Sequence, residues 1–139
     1  MRLSPAIYSL GKLQRVKAVE EAIAKDILII KNLLLTYCQQ YINEDTLNDA
    51  CVSIASVLAS IGKINEALRV TEEIESDYYR AKSLLYIALA LISMGRANRA
   101  KKILDEALEV VERRDFPSYK KVVLAALAAR ALASIGIMD

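Results

Sequence analysis

Ile54-Ala55-Ser56-Val57-Leu58-Ala59-Ser60-Ile61-Gly62-Lys63-Ile64-Asn65-Glu66-Ala67 returns 33 residues later as Ile87-Ala88-Leu89-Ala90-Leu91-Ile92-Ser93-Met94-Gly95-Arg96-Ala97-Asn98-Arg99-Ala100. In each copy an apolar helical run closes on a glycine, and a second run begins just beyond it. A period in the low thirties made of two helical patterns marks stacked helix pairs, each unable to bury its apolar face alone and covered by its neighbours. The expectation is an all-α chain whose function lies in the class of binding scaffolds.

Working outward, three of the four glycines, Gly62, Gly95 and Gly136, close the same motif, Leu-x-Ser-(Ile/Met), headed by Leu58, Leu91 and Leu132. A glycine just after a periodic apolar run ends a helix through a left-handed residue, so each is expected to mark a turn. The fourth, Gly11, opens Gly11-Lys12-Leu13-Gln14-Arg15-Val16, a parallel of Gly62 to Ala67. Start signals agree: Asp45 or Thr46, Asp77 and Ser118 are favourable N-cap types. The pattern predicts helices near 4–10, 12–25, 26–42, 46–61, 64–76, 78–94, 97–113 and 118–135, seven or eight in all, since nothing decides whether 12–42 breaks near Asp26. One domain spans 1–139, with divergent N-terminal helices over 1–44 and repeat units over 45–139. The glycine intervals of 51, 33 and 41 residues make the array irregular, and no alternating strand pattern competes.

The paired helices with small residues at their close contacts resemble the tetratricopeptide repeat. That family's characteristic positions map onto Cys51, Ile54-Ala55, Leu58, Ala67 and Thr71, then onto Leu84, Ile87-Ala88, Leu91, Ala100 and Leu104, and in the last helix onto Ala125, Ala128-Ala129 and Leu132. The family's tryptophan and proline are missing. The resemblance covers roughly residues 45–136 and implies a right-handed α-α superhelix of antiparallel helix pairs. It further implies a peptide or protein ligand on the concave surface, which on this chain includes Asp49, Val52 and Ser56, then Lys82, Leu85, Leu89 and Ile92, then Arg130. The cationic cluster with which some members clamp a terminal carboxylate is absent.

Composition narrows the function from the other side. With 139 residues and 55% hydrophobic content, one contiguous core is within reach. Nineteen basic and seventeen acidic residues leave a net charge of +2, which argues against a general nucleic-acid or membrane-surface binder. The chain has no histidine, so the usual general base and commonest metal ligand are missing. No catalytic, cofactor-binding or metal-ligating residue is therefore assigned, and a non-enzymatic protein is expected. Cys38 and Cys51 sit in apolar helical patterns and read as small hydrophobes in a reducing compartment. The N-terminus lacks the features of a signal peptide, and the apolar stretch from Ile27 to Ile42 is broken by Lys31, Asn32, Gln39 and Gln40. A cytoplasmic protein without a membrane span is the expectation.

Two surfaces stand out. Helices 78–94 and 118–135 are apolar around most of their circumference, and a helix of that kind has to be covered. Helix 27–42 folding into the concave side would supply cover, as would a second subunit; a homodimer through the apolar C-terminal helix is expected. The other surface is basic: Arg96, Arg99, Lys101 and Lys102 open helix 97–113. They suggest an alternative function as a nucleic-acid-associated regulator, against a solvated face on which Lys101 pairs with Asp105 and Lys102 with Glu106. Tyr78, Tyr79, Tyr86 and Tyr119 read as packing residues rather than stacking platforms, Tyr78 and Tyr119 taking equivalent first-turn places.

Overall fold

A computed structural model describes residues 5–41 and 43–138. Six helices account for nearly all of them: α1 (Pro5–Tyr41), α2 (Glu44–Ser60), α3 (Ile64–Glu72), α4 (Asp77–Ser93), α5 (Ala97–Arg113) and α6 (Ser118–Met138). The count is six rather than seven or eight because residues 5–41 form a single helix, about 55 Å long at 1.5 Å per residue. The chain runs through Gly11 without a turn, and through Gly136 as well. Among the described residues only Gly62 and Gly95 take positive φ, +87° and +77°. At both, the residue after the glycine donates back to the leucine carbonyl that heads the motif, Lys63 to Leu58 and Arg96 to Leu91, each at 2.9 Å. The glycine N–H completes the closure on Ala59 or Ile92 at 3.0 Å. A helical glycine costs only about 1 kcal/mol against alanine. Gly11 and Gly136 stay in their helices where no reversing segment packs back on the turn before them. Ser4, where the short first helix was expected to start, and the side chain of Cys38 lie outside the described residues.

Other boundaries shift for local reasons. The N-cap of α2 is Asn43, whose Oδ1 accepts from the Thr46 backbone N–H at 2.8 Å, ahead of Asp45 and Thr46. Helix α3 stops at Glu72, four residues short of the expected end, because the chain must turn to bury Ile74. Arg80 Nη2 then donates to the Ile74 carbonyl at 2.5 Å. Asp77 begins α4 behind Ser76, and Ser118 begins α6.

The helices pair as α2·α3 and α4·α5, each a first and a second helix joined at its glycine. First helices α2, α4 and α6 lie side by side in one layer; α1, α3 and α5 occupy the other. The core between them is aliphatic and alanine-rich. Ala55, Leu58, Ala67, Leu85, Ile87, Ala88, Leu91, Ala100 and Leu104 have no more than a trace of exposed surface, and the small residues allow close approach of the helix axes. Cys51 is buried in the same core. At the contact between the pairs a buried hydroxyl pair replaces packing: Thr71 Oγ1 lies 2.6 Å from Ser83 Oγ and donates to the Ala67 carbonyl at 2.9 Å.

Helix α1 is attached along half its length. Lys31, buried to all but 7% of its side chain, reaches Glu73 at the end of α3, and Glu21 reaches Lys63 at the α2–α3 turn. Before Ala24 no described side chain of α1 is buried. No described helix is long and apolar enough to cross a membrane.

Candidate protein-binding surface

The middle of α2 and the first half of α4 build a groove between the two first helices. At helical spacing Asp49, Val52, Ser53, Ser56 and Val57 fall along one side of α2, and Lys82 with Tyr86 along the facing side of α4. Together they enclose an open cavity of about 360 Å³. Asp49 and Lys82, which occupy equivalent places in the two repeats, meet across it at 3.6 Å. Such a half-exposed pair contributes little to stability, yet it places one negative and one positive centre beside an apolar floor. An apolar cleft of about 190 Å³ adjoins it, lined by Ile27 and Ile30 of α1 and by Ser53, Ile54 and Val57 of α2.

Of the residues expected on this surface, Asp49, Val52, Ser56 and Lys82 come together. Leu85 does not: it is fully buried in the core, and Ile92 is nearly so. Leu89 is half-buried on α4, and Arg130 is exposed on α6, away from the groove's lining. Sequence reasoning missed Ser53, Val57 and Tyr86. Ser53 and Tyr86 each lie three or four residues from a selected residue, and Val57 lies four beyond Ser53, so following the helical stripe further would have found them.

An aromatic cluster sits at the start of α4, one turn before Lys82. Tyr78 and Tyr79 pack edge to face at 4.9 Å between centroids, and Tyr78 meets Phe116 at 6.2 Å. Lys120 stands 4.8 Å over the Tyr78 ring. Burial pushes the Tyr79 hydroxyl up to about 12, reinforced by the charges of Asp49 and Asp45, and burial also raises Tyr78. These two rings are packed as expected. Tyr119 is not: it is 68% exposed although it holds the place in α6 that Tyr78 holds in α4.

The basic residues do not share one face. Arg96 lies in the turn ahead of α5. Arg99 and Lys102 fall on a common side, where Arg99 donates to Asn65 Oδ1 at 3.0 Å. Lys101 is turned about 100° away from Lys102. All four are exposed, and among the described residues neither Lys101 with Asp105 nor Lys102 with Glu106 forms the expected ion pair. No cluster of three or more acidic, cysteine or histidine side chains suited to a metal ion occurs among the described residues. Comparison of the chain with known protein families, with curated proteins and with solved structures returned no match.

Proposed function

We propose that this chain is a non-enzymatic helical-repeat scaffold, similar in plan to tetratricopeptide repeats, that holds other protein chains and associates with itself through the apolar face of α6. On this reading the stacked pairs form a right-handed superhelix with the first helices lining its inner side. The observation that carries it is the groove between α2 and α4. It is open and part apolar, with Asp49 and Lys82 offering one charge of each sign and Ser53 and Ser56 offering hydroxyls to a backbone. That mixture suits a peptide segment better than a small molecule, whose sites are more enclosed. A nucleic-acid role has less support, because the cations at the start of α5 diverge.

A photo-crosslinking residue placed at Ser56 and, as a control, at Asp105 on the solvent face of α5 tests the groove. Discrete protein adducts from Ser56 that the Asp105 site does not give, and that Lys82→Glu suppresses, are the expected result. Absence of adducts, or the same pattern from both sites, overturns the reading.

A further inference from the structure

Position for position, α6 exposes what its counterparts bury. Val122, Ala125, Ala126, Ala129, Leu132 and Ala133 are all exposed. The residues at the same distance before Gly95 in α4, from Ala81 to Ile92, and before Gly62 in α2, from Asn48 to Ala59, are all buried. In those repeats the face is covered by the pair's own second helix and by the next first helix. In α6 no described element covers it.

The other end of the array is open in the complementary sense. Helix α1 packs on α2 to the same extent as α3 on α4 and α5 on α6, and its ion pairs run residues 21–31 alongside α3. It therefore occupies the place of a second helix, with no first helix beside it among the described residues. Tyr86, Ile87 and Ala90 of α4 correspond to Ser53, Ile54 and Val57 of α2. The α4 set is at least half-buried, whereas in α2 Ser53 and Val57 are exposed. With Ile27 and Ile30 of α1 they line an open apolar cleft, and Ile23, one turn before Ile27, is exposed beside it.

We infer that a second copy of this chain fills it: α6 of one copy seats between α1 and α2 of the next, so that copies join head to tail. This rests on the self-association half of the proposed function and specifies its geometry. The register carries a charge match. Equivalent residues of neighbouring first helices sit side by side, as Asp49 and Lys82 do. The same alignment sets Lys121 of α6, which in the single chain pairs with Asp115, level with Leu47 and within one turn of Glu44 and Asp45 at the start of α2, while the first turn of α6 holds no acidic residue. The area is adequate for a modest affinity. At on the order of 50 Å² of apolar surface per half-exposed aliphatic side chain, each side brings ~300 Å², which corresponds to a total interface of ~1,000 Å², the lower limit for specific association. Because the two faces differ, the contact is heterologous and does not close at two copies.

Sedimentation velocity of the full chain, alone and in mixtures, tests this. Ile23→Glu with Ile30→Glu blocks the cleft; Val122→Glu with Leu132→Glu blocks the α6 face. All four side chains are exposed in the single chain, so circular dichroism and melting of each variant should match the wild type at low concentration. The corresponding glutamine pairs replace any glutamate pair that does not fold. Wild type should grow past dimer with concentration, each variant alone should be monomeric, and an equimolar mixture of the two should form a one-to-one dimer and nothing larger. A wild type that stops at a symmetric dimer, abolished by one variant and untouched by the other, overturns the head-to-tail geometry and leaves self-association standing. Monomeric wild type at every concentration overturns both.

Discussion

Helices α4 and α6 are built on one register and end in opposite circumstances. In α4, Tyr78, Ala81, Leu84, Leu85, Ala88 and Leu91 face neighbours on every side; in α6, Tyr119, Val122, Ala125, Ala126, Ala129 and Leu132 face outward. The sequences differ mostly in bulk, since α6 replaces leucines with alanines at two of these places. Burial here is thus a property of position in the array rather than of the helix, as expected when each unit is stabilised by its nearest neighbours.

The sharpest way to break this comparison is a matched pair of truncations. Leu91→Ala, in the middle, should cost about 3 kcal/mol through lost contacts and the cavity it leaves. Leu132→Ala, at the equivalent place, should cost less than about 0.5 kcal/mol in dilute solution. Urea denaturation reads both, and equal losses would mean that α6 is covered within the single chain. Next in size is the hydroxyl pair between the repeats. Thr71→Val leaves Ser83 Oγ buried without a partner and should cost about 1–2 kcal/mol, most of which Ser83→Ala in the same chain restores.

Alkaline pH tests the centre in another way. Because the Tyr79 hydroxyl titrates near 12 when folded and near 10 when unfolded, its contribution is complete below pH 10 and is lost as pH rises through 12. Stability should fall by about 1 kcal/mol between pH 9 and 11 from this group, and Tyr79→Phe should flatten that part of the urea-midpoint profile. The smallest difference lies in the glycines, none of which has an atom within 4 Å of an added Cβ, so backbone conformation alone decides. Gly95→Ala should destabilise by about 1 kcal/mol at its positive φ, while Gly11→Ala, inside α1, should stabilise by up to about 1 kcal/mol. Thermal melting of the two variants in opposite directions checks it.

The middle of the chain was legible because several signals coincide there. Periodicity, N-terminal polar residues and a glycine closing on a leucine carbonyl all mark α2 through α5, and the predicted span 97–113 is α5 itself. At Gly11 the same letters mislead, since a glycine that ends a helix and one that merely sits in it are identical in sequence. What decides is whether later residues pack back against the turn, a tertiary fact. The groove was half legible for a related reason. A carried-over pattern places Leu85 and Ser56 on one surface, but α4 has so many apolar faces that its sequence does not say which one meets the core. Lys82 and Asp49 were easier, because charge points to solvent.

The bare face of α6 is made largely of alanine: Ala125, Ala126, Ala129 and Ala133. A methyl group has no rotamers to lose, so ordering such a face against a neighbour carries almost none of the ~0.5–1 kcal/mol of conformational entropy that each leucine or isoleucine gives up. It also offers little grip to a stray hydrophobe when uncovered. The consequence is kinetic as well as thermodynamic: a surface of this kind can be left open and re-covered repeatedly with little side-chain rearrangement, a reversible joint where a leucine-rich one would hold fast.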